Sequence, residues 1–306
     1  MLMYYLAGTV IKELRKKQRI SQSRLASGIM DRSNLGKIEK GLQIASKVNM
    51  DALFERLGNT SARFFPFALT DEEHEVFTLR EELDNYLSNF DLNNAIDLIL
   101  KMETMPAFKS GLHEQYLLKS KAVIYQKKDK NFAKAREYLD KAITFSIPKF
   151  EEKLVNTYLL AMGDIEIINL MAELHHQDNE TDRAIYLLEK LMENVKNNHM
   201  NARKKARALT FVSYSLSIYL GAKKRHAEVL AVCDKAIKAG RGNRVYGLLP
   251  MLLFNKAYAL YYMNQRGEVK ELLYQAYYSC IALGIDLVAE DILNESLDLF
   301  GIIITT

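Results

Sequence analysis

The side chains in this sequence that are equipped for chemistry are hydrogen-bond donors and cations. They are not nucleophiles or metal ligands. Arg32, Ser33, Asn34 and Lys37 follow Asp31 in one short helical stretch, and Leu35 and Ile38, spaced i, i+3, mark its inward side. The four polar residues therefore face outward. An arginine can donate two hydrogen bonds to guanine, and an asparagine can pair with adenine. Motifs for catalysis are missing. The chain holds no G-x-x-x-x-G-K-S/T, no G-x-S-x-G and no H-E-x-x-H. His175 and His176 are adjacent and so lack the i, i+4 spacing that a helical metal pair needs. Gly240-Arg241-Gly242-Asn243 follows no strand and is expected to be a helix cap and loop. No enzyme, metal site or cofactor is expected. Cys233 and Cys280 sit in apolar helical patterns and are expected to be buried thiols in a reducing compartment.

The distribution of charge narrows the chemistry further. Residues 1–60 carry eleven Lys and Arg against five Asp and Glu, a balance of +6, while the remaining 246 carry 31 against 33, a balance of −2. A compact basic segment joined to a near-neutral body suggests a nucleic-acid module attached to something else. With 14 Gly and 4 Pro in 306 residues, breakers are few, which favours long helices over a turn-rich sandwich or barrel. No apolar run reaches the roughly 18 residues of a membrane span. The N-terminal stretch lacks a charged region ahead of its apolar residues and a small-residue cleavage site, so a cytoplasmic protein without membrane partners is expected.

The elements that must position these residues follow from periodicity and caps. Residues 6–18 place Leu6, Val10, Ile11 and Leu14 on one helical face, with Lys12, Arg15, Lys16 and Lys17 outside it. Ser21 caps a second helix that ends at Gly28, and Asp31 caps a third, Arg32 to Lys40, closed by Gly41. A helix over about 46–57 and a stub around Phe64 and Phe65 complete five short helices. A boundary is expected at Phe65-Pro66-Phe67, because proline cannot continue the preceding helix. Thr70 and Glu73 then form a capping box. The domains are accordingly 1–66 and 67–306.

Beyond residue 70 a pattern recurs loosely: Ala95-Ile99-Met102, Ala135-Leu139-Ala142, Ala184-Leu188-Leu191, and more weakly Val229-Cys233-Ala236 and Val269-Leu273-Ala276. Each copy follows an apolar helix and a turn, such as Lys127-Lys128-Asp129-Lys130 or Asn264-Gln265-Arg266. Small residues seven apart let two antiparallel helices approach, and helix pairs at this period mean an α-solenoid. The spacings exceed 34 residues, so the helices are longer than the tetratricopeptide consensus. A final helix over about 286–300 caps the array. The apolar tail Gly301-Ile302-Ile303-Ile304 is a candidate packing or dimer surface. The expected fold is all-α: a five-helix head followed by a TPR-like solenoid of helix pairs.

The head resembles the helix-turn-helix of the Xre/Cro-type repressors. The matching residues are Gly8-x-x-Ile11-Lys12-x-Leu14-Arg15, Ile20-Ser21-Gln22-x-x-Leu25-Ala26 and Asp31-x-x-x-Leu35-x-Lys37-Ile38-Glu39-x-Gly41. It departs from that pattern where Asp31 stands in the place commonly taken by Ser or Thr. In such a motif the third helix enters the major groove by its N-terminal residues. Arg32, Ser33, Asn34 and Lys37 are thus the candidate base readers. Gln22 occupies the place where the family touches backbone phosphate. Arg24, Lys40 and Lys47 are candidate phosphate-positioning residues. Glu39 is expected to hold the domain together, since phosphate would repel it.

Head and body together resemble the Rgg, PlcR and PrgX group of pheromone-responsive regulators, the RNPP family. The stretches Gly28-Ile29-Met30-Asp31-Arg32-Ser33, Lys37-Ile38-Glu39, Arg56-Leu57-Gly58 and Phe64-Phe65 carry this likeness, along with the architecture. The resemblance implies a cytoplasmic homodimer acting in quorum sensing. Its solenoid would bind a short imported peptide on the concave face and thereby alter transcription from a palindromic operator in double-stranded DNA. In helix-pair repeats the first helix lines that face. Indexing from the small residues gives Glu166, Asn169, Glu173 and His176, then Phe211, Tyr214 and Ile218, then Phe254, Asn255, Tyr258 and Tyr261. Of these, Glu166, Asn169, Tyr214, Phe254, Asn255 and Tyr258 are the expected peptide contacts. Asparagine amides can pair with an extended peptide backbone, and tyrosines offer apolar area with a polar tip. Two rival readings keep the head. In one, the repeats bind a protein partner without a small effector; in the other, the solenoid binds a response regulator.

Overall fold

A computed structural model describes residues 2–59 and 71–305. The expected boundary at Phe65-Pro66-Phe67, the stub at Phe64 and Phe65, and Thr70 of the capping box lie outside the described residues. Among the described residues all regular structure is helical. The chain falls into two compact units. One holds residues 1–174 with 198–200, and the other holds 175–197 with 201–306.

The first unit opens with α1 (Leu2–Lys17), α2 (Gln22–Ala26), α3 (Arg32–Glu39) and α4 (Lys47–Arg56). These close around Ile11, Leu25, Leu35, Ile38, Met50, Leu53 and Phe54. The Ser21 hydroxyl caps α2 by accepting the Arg24 N–H at 3.1 Å, and Ser46 caps α4 by accepting the Asn49 N–H at 3.5 Å. Asp31 departs from expectation. It occupies the N-cap position of α3, but its exposed carboxylate makes no capping bond, so α3 begins without that support. Gly28 and Gly41 take left-handed φ of 70° and 72° beyond α2 and α3, conformations that cost other residues a Cβ clash. Gly8 serves closeness instead: a Cβ there would stand 1.8 Å from the Ile38 carbonyl oxygen, so α1 crosses α3 backbone to backbone.

The same unit continues through α5 (Asp71–Ser88), α6 (Leu92–Thr104), α7 (Gly111–Lys127) and α8 (Phe132–Ser146), and takes most of α9 (Met162–Gln177). The second unit comprises α10 (Thr181–Asn197), α11 (Ala202–Ala222), α12 (His226–Asn243), α13 (Leu249–Tyr262), α14 (Val269–Leu283) and α15 (Asp286–Phe300). The recurring sequence pattern lies on α6, α8, α10, α12 and α14. None of its fifteen positions is more than 5% exposed. They bury these helices against partners, α5 on α6, α7 on α8, α11 on α12 and α13 on α14. Each pair turns through one left-handed residue: Phe90, Lys130, Asn179, Lys224 or Asn264. Asp91 and Asn131 then cap α6 and α8, accepting the N–H groups of Asn94 and Lys134 at 3.3 and 3.0 Å.

The segment expected as a helix cap and loop belongs to the helix itself. Residues 240–243 form the last turn of α12, which ends on the left-handed Arg244. Gly240 has a packing reason to be there, since a Cβ would lie 2.8 Å from the Val245 carbonyl oxygen. The tail is anchored within its own chain: Ile304 is buried and the Tyr274 hydroxyl meets the Thr305 hydroxyl at 3.0 Å, while Ile303 and Leu297 stay exposed.

Candidate nucleic-acid interface and repeat-face residues

The support of the candidate reading helix is a buried ionic clamp. The Arg15 guanidinium donates through Nε to Glu39 Oε1 at 2.6 Å and through Nη2 to Glu39 Oε2 at 2.9 Å. Its Nη1 also holds the Ile20 carbonyl at 2.9 Å, and Gln22 Nε2 completes the clamp on Glu39 Oε2 at 2.8 Å. The clamp ties α1 to the end of α3 and to the start of α2. Burial by itself raises the Glu39 carboxyl. Hydrogen bonds from Arg15 and Gln22, with the charges of Arg15 and Lys12, outweigh that and hold it below the usual carboxylate range. Glu39 is thus the structural partner the sequence suggested. Arg15 was expected outside the apolar face and is buried instead, because Glu39 neutralises it there. A second buried arginine, Arg56, fastens α4 to the end of α2 by donating to the carbonyls of Leu25 and Ser27.

On the outside of this scaffold Arg32, Ser33 and Lys37 are exposed and Asn34 is half-buried. Lys12, Lys16, Arg32 and Lys40 border a pocket of about 380 Å³ between α1, α2 and α3, floored by Gln22, Gly36 and the Arg15–Glu39 clamp. Four cations around a shallow pocket with a neutralised floor can take an anion such as a phosphate. Lys12 and Lys16 escaped the sequence reading as site residues; their i, i+4 spacing on the polar side of α1 was the available signal. Gln22, expected at a phosphate, spends its amide on Glu39. Arg24 donates to the Thr157 carbonyl at 3.0 Å, and Lys47 pairs with Asp51. Around Arg24 the first four helices meet the rest of their unit. A Cβ on Gly28 would stand 2.0 Å from the Phe145 carbonyl oxygen, and one on Gly58 1.5 Å from that of His199.

The repeat-face candidates divide between the units. In the first, Glu166 accepts Lys119 Nζ at 2.6 Å and Glu173 pairs with Lys127, two rungs joining α7 to α9. Asn169 is 5% exposed, and among the described residues its side-chain oxygen has no hydrogen-bond partner. In the second unit, His176 stands 4.6 Å from the Tyr219 ring, Ile218 is 40% exposed, and Phe211 and Tyr214 are half-buried. Asn255 donates to the Ser217 hydroxyl at 2.7 Å. Phe254, Tyr258 and Tyr261 pack edge-on against Phe300 of α15, with centroids 5.8, 6.5 and 5.0 Å away. These aromatics therefore also build the packing of α13 on the last helix. Among the described residues no cluster of three His, Cys, Asp or Glu could hold a metal ion, and no helix is long and apolar enough to cross a membrane.

The fold and this head define a helix-turn-helix protein carrying a body of helix pairs. Residues 11–65 match the family model described as helix-turn-helix. Among solved structures the whole chain is similar to Bacillus thuringiensis PlcR in complex with the peptide PapR7 and DNA. That match has a TM-score of 0.64 and 15% identity, covering 94% of this chain and 99% of PlcR. It is similar also to ComR from S. thermophilus in its apo form (TM-score 0.54, 19% identity, 96% of this chain and 99% of that one). ComR in complex with DNA and its signalling peptide ComS matches at TM-score 0.53 and 17% identity, over 95% and 99%. No curated protein sequence matches. The chain has the fold that PlcR and ComR share.

Proposed function

We propose that this chain is a sequence-specific DNA-binding transcription regulator of the RNPP group, whose helical-repeat body binds a short signalling peptide. One observation supports it most: exposed Arg32, Ser33 and Lys37, with half-buried Asn34 beside them, stand on a helix clamped from below by Arg15 and Glu39, in a chain folded like two proteins solved with both DNA and a peptide. The head, residues 1–66, is the DNA-binding part, and residues 67–306 take the peptide and the dimer contact. In the second unit the proposed peptide contacts are Tyr214, Phe254, Asn255 and Tyr258; in the first, Asn169 and Glu166 are candidates in their own right. The protein is a cytoplasmic homodimer acting on a palindromic operator.

Selection of bound sites from random double-stranded DNA by the full chain tests this reading. On the selected site Arg32→Ala is expected to lose about 1–3 kcal/mol while hardly changing affinity for random DNA. Lys40→Ala should weaken both equally and lower the salt dependence by about one phosphate contact. Failure to select any sequence would overturn the regulator reading, and equal losses for Arg32→Ala on both DNAs would remove it from the base-reading set.

A further inference from the structure

We infer that Arg80 and His113, on the first unit, form a binding site for a carboxylate group. Arg80 projects from α5 onto α7, where its guanidinium carbon lies 4.1 Å from the centroid of the Tyr116 ring. Its Nη1 is 3.2 Å from His113 Nδ1. A guanidinium only donates, so Nδ1 accepts and the imidazole proton sits on Nε2. Among the described residues this is the only hydrogen bond the Arg80 side chain makes, which leaves four of its five N–H donors without a protein partner. The two carboxylates that act on it through space are both engaged elsewhere. Asp84 accepts the Tyr116 hydroxyl at 2.8 Å, and Glu166 accepts Lys119 at 2.6 Å. Burial accordingly pushes the Arg80 pKa down by more than Tyr116, Asp84 and Glu166 raise it.

Arg80 is half-buried, so its guanidinium is partly shielded from water while its remaining donors stay open to a ligand. A ligand that brings a negative charge to those donors gains charge-assisted hydrogen bonds. The geometry selects the ligand. A guanidinium fork takes a planar two-oxygen anion through two parallel hydrogen bonds, which a carboxylate supplies. Asp84 and Glu166 nearby disfavour a doubly charged anion such as phosphate. The half-buried Phe77 ring, edge-on to His113 at 6.0 Å, offers apolar surface suited to a carboxylate attached to a hydrocarbon side chain. On the peptide-receptor reading, from which this inference takes the identity of its ligand, that carboxylate is the C-terminus of the peptide.

Three probes test it on the full chain. An N-acetylated random heptapeptide pool is made once with a free C-terminal carboxylate and once as the amide. N-acetyl-leucine and inorganic phosphate are titrated separately against the 15N resonances of His113. The free-acid pool is expected to be retained roughly 10- to 100-fold better than the amide, the range of a charge-assisted pair. Arg80→Gln should abolish that difference and Arg80→Lys should keep part of it. N-acetyl-leucine should shift His113 in an Arg80-dependent way and phosphate should not. Because neither nearby carboxylate pairs directly with Arg80, Arg80→Gln should leave the melting temperature nearly unchanged; a clear fall would make Arg80 structural and overturn the site. If both pools bind alike, with or without Arg80, the peptide reading stands and the carboxylate site falls. If no peptide binds while N-acetyl-leucine still shifts His113 through Arg80, the site stands and the peptide reading falls. A phosphate response stronger than that of N-acetyl-leucine would also overturn the carboxylate assignment.

Discussion

Replacing Glu39 by glutamine removes one charge from the Arg15 clamp while keeping the side chain's shape. The Glu39 side chain is 3% exposed and that of Arg15 11%, so water cannot take over the lost partnership. Breaking a buried pair from one side leaves the other charge uncompensated and costs about 3–5 kcal/mol; retention of the amide oxygen places Glu39→Gln near the lower end, about 3 kcal/mol. The head is one part of a larger chain, so local opening is the proper readout. Native-state hydrogen exchange of the Leu35 and Ile38 amides should speed roughly 100-fold, at 1.36 kcal/mol per factor of ten. The sign of the pH effect follows from the lowered carboxyl. Its contribution is complete above the unfolded value of 4.5 and fades as pH falls through the lower folded value. The wild-type protection should therefore decline below pH 4.5, and the variant should lack that decline. The double variant Arg15→Met with Glu39→Leu, which deletes both charges, should recover much of the loss. A change under about 0.5 kcal/mol in the single variant, or a double variant as unstable as the single, would refute the clamp as the support of α3.

Two further outcomes follow from the first unit. Burial and the adjacent Arg80 charge push the His113 imidazole down to about 4, while an unfolded chain protonates it near 6.5. Stability should be complete above pH 6.5 and fall toward pH 4, by about 3 kcal/mol at full weight and about 2 after allowing for partial solvent exposure. His113→Phe should flatten the dependence of melting temperature on pH, and an NMR titration near 6.5 would contradict it. Gly58 combines a φ of 73° with the close His199 carbonyl, so Gly58→Ala should cost more than the roughly 1–2 kcal/mol of left-handed backbone alone. Gly163→Ala, whose Cβ meets nothing within 4 Å, is the control and should leave the melting temperature unchanged or raised.

Periodicity and caps alone determined most of the architecture. The small-residue pattern beginning at Ala95 could be read because close helix approach constrains residue size at fixed intervals, and all of its positions are buried. The third head helix and the outward set Arg32, Ser33, Asn34 and Lys37 were legible for a related reason: Leu35 and Ile38 fix which side of an eight-residue helix faces in. The polar partnerships were not legible. Arg15 and Glu39 are 24 residues apart, and nothing local says that one arginine of a basic run turns inward while Lys12, Lys16 and Lys17 do not. Asp31 shows the converse, since a good capping residue in the right place makes no cap. Residues 240–243 lie at the helix end the sequence suggests, but the helix runs through them to Arg244, because glycine marks both turns and close contacts and the Val245 carbonyl shows the second role at Gly240. Arg80, His113 and Tyr116 carry no motif. The crossing of α5 and α7 brings them together, and their chemistry depends on where the neighbouring carboxylates are spent, Asp84 on Tyr116 and Glu166 on Lys119, which only the three-dimensional arrangement determines.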